Sequence, residues 1–233
     1  IKGGSGSGKT HLIVNAAMAT AMELSQAGDE RRVCIFSTES PGMYDVRGLA
    51  WASGVNSMDI RRGFSGERRP EQAEILLAVA EAMPEQLPLS IEEGEVTEEK
   101  IEADLRRHAS EHGIAMVCLD YWQDIHIRPG RTRVEEFVNL AARMKHICQD
   151  ELQVPFLIAS QMSYNQGTGE WQAKESTKIQ DSATLTIRLQ RDKKNREKYS
   201  LVCEKDRIGI EFGELPIRMD KAPSHVHLIA DSE

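Results

Sequence analysis

The sequence has little aromatic character, few cysteines and no long apolar run. No part of its 233 residues approaches the roughly 18 consecutive apolar residues that span a bilayer, and no signal-peptide pattern opens the chain. We therefore expect a cytoplasmic protein with no membrane partner. The four cysteines are far apart and form no CxxC pair, which argues against a disulfide framework or metal site and favours buried free thiols.

The sequence also lacks an internal repeat, a low-complexity tract and an interdomain linker, so we expect residues 1–233 to form one domain. The formal net charge of -8 argues against a protein coated in nucleic acid, but it is compatible with a local basic channel. Residues 128–133 and 191–198 are basic, and residues 85–104 are acidic. From charge alone, the simplest interpretation of each run is a solvated face.

Short apolar runs alternate with amphipathic helical patterns along most of the chain. The apolar runs predict buried strands at residues 33–37, 116–119 and 154–160. The helical patterns cover residues 10–26, 43–53, 70–83, 97–112 and 134–152. Thr97 is a predicted helix N-cap, because two glutamates follow it in the first turn. Strands that alternate with helices predict crossover connections and a parallel sheet.

The pattern changes after residue 160. Residues 163–169 read as a polar, glycine-containing loop. Three further strands, joined by hairpin turns, are predicted at residues 185–190, 199–203 and 215–219. The predicted fold class is therefore α/β, with a mainly parallel sheet flanked by helices and antiparallel strands at the C-terminal end.

A glycine-rich segment at the start of the chain fits the phosphate-loop pattern G-x-x-x-x-G-K-[ST] in full. Its residues are Gly3, Gly4, Ser5, Gly6, Ser7, Gly8, Lys9 and Thr10. Glycines let backbone N–H groups face phosphate oxygens, and the helix that follows adds its positive dipole end. Lys9 is expected to reach the β- and γ-phosphates of ATP, and the Thr10 hydroxyl to bind Mg2+. The alternative is a glycine-rich linker before a helix.

Such a phosphate loop follows a strand, yet only two residues precede Gly3. We therefore expect the first strand to be truncated in this sequence, which would then be part of a longer chain.

Three polar residues follow predicted strands at the edge where ligands of parallel sheets bind. Asp120 ends the apolar run of residues 116–119 and is expected to hold Mg2+ directly or through water. Glu39 could activate the attacking water, and Gln161 could sense the γ-phosphate. From the pattern alone, Glu39 and Gln161 are equally well explained as plain loop residues.

The chain resembles, along nearly its whole length, the C-terminal motor domain of DnaB-type replicative helicases, which has a RecA-like core. The segments FSTE, DYWQ and ASQM, at residues 36–39, 120–123 and 159–162, resemble that family's FSLE, DYLQ and LSQL. KESTKI at residues 174–179 is similar to the RESGSI of its DNA-facing loop, and KDRIG at residues 205–209 to its KQRNG. Lys174 stands where the family has Arg, and Thr177 where it has Gly.

The resemblance implies an ATP hydrolase that works as a homohexameric ring, moves along single-stranded DNA and unwinds duplex DNA. It implies that Lys9, Thr10, Asp120, Glu39 and Gln161 act within one subunit. It also implies that Arg207, with Lys205, reaches the active site of the neighbouring subunit. Two loops, at residues 128–133 and 164–178, would line the central channel. The DNA-binding residues expected in or beside them are Arg128, Arg131, Arg133, Lys174, Glu175 and Thr177.

The resemblance further implies a primase or a helicase loader as partner, and an N-terminal domain that this sequence does not contain. Two other functions stay open. A RecA- or RadA-type recombination ATPase shares the core but forms open filaments. A non-translocating loader or switch uses ATP to remodel a protein partner.

Overall fold

The computed structural model of the protein describes most of the chain. The described residues are 1–4, 6–63, 70–126, 133–165, 170–173, 182–192, 195, 198–209, 212–220 and 225–229. No helix among them is long and apolar enough to cross a membrane.

The helices and strands that the sequence predicts are present in the predicted order, with further elements between and after them. The α-helices in the described ranges are α1 (Lys9–Ala27), α2 (Met43–Ser53), α3 (Ser57–Arg61), α4 (Pro70–Gln86), α5 (Glu98–Glu111) and α6 (Arg133–Lys145). A 3-10 turn (Trp122–Asp124) and a π-helical turn (His146–Glu151) are also present. The strands are β1 (Lys2–Gly3), β2 (Arg32–Ser37), β3 (Leu89–Glu93), β4 (Ile114–Asp120), β5 (Phe156–Ile158), β6 (Ser160–Asn165), β7 (Glu170–Ala173), β8 (Leu185–Arg191), β9 (Tyr199–Asp206), β10 (Glu214–Asp220) and β11 (His225–Leu228).

The parallel part of the fold is built from two sheets that share one extended segment. The first sheet has the order β3-β2-β4-β5, and the second has the order β11-β10-β9-β8-β1-β6-β7. Strands β5 and β6 are separated only by Ala159, whose N–H donates to Leu119 O at 2.9 Å, while the Ser160 N–H donates to Ile1 O at 2.8 Å. Strands β2, β4, β6 and β1 therefore point their carboxyl ends to one common edge.

The C-terminal strands are antiparallel, as predicted. Strand β8 runs parallel to β1, and β9, β10 and β11 then alternate in direction. The α/β fold class is thereby confirmed.

Helices cover both faces of the parallel strands, and side chains alternate accordingly. On β2, Cys34 and Phe36 pack into the cluster formed with α5 and α6, whereas Val33 and Ile35 pack with α1. The thiols of Cys34, Cys118 and Cys148 are free and buried, as predicted, and burial raises the pKa of Cys34 to about 12.

Thr97 is the N-cap of α5, as predicted, because its hydroxyl accepts a hydrogen bond from the Lys100 N–H at 3.2 Å. Some local predictions were wrong. The acidic segment contains strand β3, a half-buried edge strand that pairs only with β2 among the described strands. The predicted loop at residues 163–169 begins as part of β6, which forms a hairpin with β7. Strand β11 and helix α3 were not predicted.

Candidate nucleotide site

A cavity of about 400 Å³ opens at the common carboxyl edge of the parallel strands. Its lining combines the glycine-rich loop with residues that follow β2, β4 and β5. The lining residues are Gly6, Gly8, Lys9, Thr10, His11, Glu39, Arg47, Asp120, Tyr121 and Gln161. Five candidates from separate parts of the sequence, namely Lys9, Thr10, Glu39, Asp120 and Gln161, therefore meet in one place.

The backbone of the glycine-rich loop is shaped by close contacts that only glycine permits. A Cβ on Gly3 would lie 2.6 Å from the Ser7 hydroxyl, and one on Gly8 would lie 2.4 Å from the Met219 sulfur. Gly8 also has a φ of 106°, in the left-handed region. The loop thus turns directly from β1 into α1, and Gly8 precedes the first residue of the helix. Gly4 precedes the turn, and Ser5 lies outside the described residues.

Lys9 folds back over this loop. Its Nζ donates to Gly3 O at 3.2 Å and to Gly4 O at 3.1 Å. Burial lowers the pKa of this ammonium, although the nearby Asp120 and Glu39 carboxylates oppose the shift. The ammonium therefore lies at the cavity, against the carbonyl groups of the glycine-rich loop.

Glu39 is held between two side chains from different helices. Its Oε1 accepts a hydrogen bond from the Thr10 hydroxyl at 3.3 Å, and its Oε2 pairs with Arg47 at 3.2 Å. The Glu39 N–H donates to the Ser37 hydroxyl at 3.1 Å, which fixes the turn after β2. Arg47, on α2, was not a sequence candidate. Its position in the helical pattern did not indicate that it contacts Glu39, the predicted general base.

Asp120 is almost fully buried at the end of β4. Burial raises the pKa of its carboxyl group. Its Oδ2 accepts a hydrogen bond from the Tyr44 hydroxyl at 2.8 Å, whereas its Oδ1 has no hydrogen-bond partner among the described residues. A buried oxygen without a partner is unfavourable unless a cation or water meets it.

These residues fit a magnesium ion. Mg2+ usually takes one or two protein oxygens and completes its octahedron with water and substrate phosphates, rather than using a cage of side chains. Asp120, whose Oδ1 is buried without a hydrogen-bond partner among the described residues, and Thr10 both line the cavity and supply such oxygens. No group of three or more His, Cys, Asp or Glu side chains suited to a metal occurs in the described part of the chain.

Gln161 is held by its backbone, which leaves its amide side chain at the cavity. Gln123, in the 3-10 turn after β4, accepts from the Gln161 N–H at 3.1 Å and donates to the Gln161 carbonyl at 3.2 Å and to the Ser160 hydroxyl at 2.9 Å. Gln161 also lies opposite Gly3 in the pairing of β6 with β1. Gln123 belongs to the DYWQ segment at residues 120–123, but nothing in the sequence pattern indicated that it holds the backbone of Gln161.

Lys205 and Arg207 lie far from the cavity of their own chain. Strand β9 is antiparallel to β8, so its last residue, Asp206, pairs with Leu185 at the start of β8. The Arg207 N–H donates to Thr184 O at 3.0 Å, and the Arg207 side chain is exposed. Both candidate cations therefore lie at the amino edge of the sheet, opposite the phosphate loop.

The DNA-binding candidates are not placed by the structure. Arg128, Arg131, Lys174, Glu175 and Thr177 lie outside the described residues. Arg133 is the first residue of α6, but its side chain is likewise outside the description. Their assignment stays a prediction.

Comparisons with known proteins agree with this geometry. The family described as DnaB-like helicase C terminal domain matches residues 1–223. A solved structure of an ATPase domain has a TM-score of 0.77 at 19% identity, and the match covers 98% of this chain and 83% of that chain. A solved DnaB-like replicative helicase, studied with its interactions with primase, has a TM-score of 0.76 at 17% identity. That match covers 97% of this chain and 55% of the solved one. A search of curated protein sequences gave no match.

Proposed function

Because the chain belongs to the DnaB-like helicase C-terminal domain family, we propose that it uses ATP to move along single-stranded DNA and unwind duplex DNA as a homohexamer. The observation that carries the proposal is the division of the site between two edges of the sheet. The phosphate loop, Asp120 and Glu39 share one edge, while Arg207 lies at the other. A complete site would then require two subunits.

Within one subunit, each residue has a distinct task. Lys9 and the N–H groups of the loop bind the phosphates, and Thr10 and Asp120 would hold magnesium, which neutralises phosphate charge when bound. Glu39 orients the attacking water and accepts its proton, while Arg47 keeps that carboxylate in place. Gln161 contacts the γ-phosphate, so loss of that phosphate would be transmitted through Gln161 to β6 and to the hairpin that β6 forms with β7.

The charges of the cavity support a contribution from a second subunit. Among the described residues that line it, two side chains are cationic, Lys9 and Arg47, and two are anionic, Glu39 and Asp120. Arg47 is already paired with Glu39. The lining thus offers a triphosphate little net positive charge beyond Lys9 and the backbone N–H groups. Arg207 of a neighbouring subunit, assisted by Lys205, would stabilise the charge on the transferring phosphoryl group.

DNA binding is assigned to a channel at the centre of the ring. Each subunit contributes the two loops predicted from the sequence, at residues 128–133 and 164–178. Six copies of a modestly basic loop make a strongly positive channel, so an acidic subunit is compatible with DNA binding. A primase or a helicase loader is the partner class that fits this function.

The proposal is tested by measuring ATP hydrolysis with and without single-stranded DNA and by imaging particles with nucleotide and DNA in the electron microscope. A helicase gives DNA-stimulated hydrolysis and closed rings. Open filaments would reassign the chain to a recombination ATPase. If the rate of ATP hydrolysis is the same with and without DNA but changes with a protein partner, the chain would be reassigned to a loader or switch.

The channel assignment has its own test. Contacts to phosphates release counterions, so binding weakens as salt rises. Neutralising Arg128, Arg131 and Arg133 together should weaken binding and flatten its dependence on salt. If the variant's DNA binding depends on salt as strongly as that of the parent, residues 128–133 are a solvated face and not part of the channel.

A further inference from the structure

A buried tyrosine contacts the predicted magnesium-binding carboxylate from outside the cavity. Tyr44 is 1% exposed, and its hydroxyl donates to Asp120 Oδ2 at 2.8 Å. Tyr44 does not line the nucleotide cavity. Its ring packs in the core formed by α1 and the sheet, so the hydroxyl has a fixed position relative to β4. The two oxygens of Asp120 are thereby made unequal, since only Oδ1 lacks a partner among the described residues.

The helix that carries Tyr44 is held at its N-terminus by a second carboxylate. The N-cap of α2 is Gly42, which has no side chain to satisfy the first N–H groups of the helix. Glu93, the last residue of β3, replaces that cap. Its Oε1 accepts from the Tyr44 N–H at 3.0 Å, and its Oε2 accepts from the Gly42 N–H. A carboxylate here also interacts favourably with the helix dipole.

These contacts form a chain from β3 through α2 to the end of β4. We propose that Tyr44, held in place by Glu93, is a positioning residue that fixes the Asp120 carboxylate so that Oδ1 is the oxygen available to magnesium. The inference rests on the proposed nucleotide site. A carboxylate without the tyrosine bond could swing about its last torsion, because that torsion is broad. Its two oxygens are chemically equivalent, so the variant would lose the fixed position of the ligand oxygen and not its identity.

Position and packing point to a functional role beyond simple burial. One turn further along α2, Arg47 holds Glu39 at 3.2 Å. The same helix thus contacts both acids of the site, one for the metal and one for the water. Outer groups that orient metal ligands typically contribute on the order of 10- to 100-fold in metal affinity or activity.

The test is the Tyr44→Phe variant, which keeps the ring in the core and removes only the hydroxyl. Binding of a fluorescent, non-hydrolysable ATP analogue is measured with a range of Mg2+ concentrations and again in EDTA. We expect the Mg2+ concentration for half-maximal enhancement to rise by about 10-fold or more, while affinity in EDTA stays at the parent value. Tyr199→Phe, which removes the hydroxyl of another buried tyrosine on β9, is the matched control and should leave both values unchanged.

Glu93→Gln tests the second link. Its amide has one acceptor oxygen where the carboxylate has two, so it cannot accept from both N–H groups in the same bidentate geometry. The same Mg2+ response should therefore shift in the same direction by a smaller factor. Because both residues act through one path, the double variant should lose less than the product of the two single effects. If the fold-change of the double variant equals the product of the two single fold-changes, Glu93 does not act through Tyr44.

Two results would overturn the role of Tyr44. One is an unchanged Mg2+ response in Tyr44→Phe. The other is an equal loss of affinity with Mg2+ and in EDTA, which a purely structural role would give. Failure of the proposed nucleotide site would look different, since the parent protein itself would then show no Mg2+-dependent binding of the nucleotide. Failure of the helicase function would leave that binding intact and would be seen in the DNA and particle measurements instead.

Discussion

Replacing Arg207 by alanine tests whether the active site is shared between subunits. Gly3 lies level with Leu189 on β8, and Asp206 pairs with Leu185, four residues earlier on that strand. Arg207 lies one residue further, level with Thr184, so at the usual strand dimensions it is about 16 Å from the phosphate loop along the strands and about 10 Å across them. That separation is longer than an arginine side chain can bridge, so the guanidinium cannot serve its own cavity.

The expected magnitude follows from this geometry. Arg207→Ala leaves Lys9 and the loop intact, so nucleotide binding should stay at the parent level. Hydrolysis should fall by about 1,000-fold or more, which corresponds to roughly 4 kcal/mol of transition-state stabilisation. Arg218→Ala, which removes another exposed arginine from the antiparallel strands, is the control and should hydrolyse ATP normally.

Mixing variants then separates action in trans from action in cis. In a head-to-tail ring, an equal mixture of Arg207→Ala and Lys9→Ala subunits creates about one quarter of interfaces with an intact phosphate loop on one side and an intact Arg207 on the other. ATPase activity should therefore return in part after subunit exchange. Normal hydrolysis by Arg207→Ala would refute the reasoning outright. Loss without rescue, once exchange has been shown by labelled subunits, would point to a role within one subunit.

Three further variants probe the loop and the base. Lys9→Ala should abolish steady-state hydrolysis while unfolding remains cooperative, since within the described residues the side chain donates hydrogen bonds to two loop carbonyls only. Hydrolysis at the parent rate would mean that the active site lies elsewhere. The Glu39→Gln variant should bind ATP, but its single-turnover hydrolysis should be slower by about 100-fold or more. An unchanged rate would mean that another acid is the general base. Gly8→Ala should reduce the free energy of unfolding by about 1–3 kcal/mol and weaken nucleotide binding, because of its positive φ and the nearby Met219 sulfur. In denaturant titrations Gly213→Ala is the matched control, since its added Cβ meets nothing within 4 Å.

The sequence predicted the parts of the fold that depend on local pattern. Strand β2 and helices α1 and α2 appear within a few residues of their predicted bounds, because buried strands and amphipathic helices leave distinct periodicities. Strand β3 was missed since it is an edge strand, half-buried throughout, whose closing glutamates look like part of a solvated run. Edge strands carry weak patterns because only part of their surface is buried.

The residues of the candidate site likewise fall into two groups, those that the sequence predicted and those that it did not. Lys9, Thr10, Asp120 and Glu39 could be predicted because each belongs to a short motif or ends an apolar strand. Tyr44, Arg47, Glu93 and Gln123 act through contacts between elements distant in sequence, and those contacts depend on how α2 and the 3-10 turn pack against the sheet. No local spacing encodes such contacts, so sequence reasoning had no signal for them.

The opposite placement of the phosphate loop and Arg207 also constrains the assembly. If Arg207 serves a neighbouring cavity, as proposed, two different surfaces of the chain meet, one bearing the cavity and the other the amino ends of β8 and β9. Such a contact is heterologous, and it repeats from subunit to subunit until the rotation closes a ring or continues as a filament. A two-fold dimer joins identical patches and would leave the cavities without their cations. Hydrolysis by this chain is therefore expected to depend on protein concentration, with activity appearing as subunits associate head to tail.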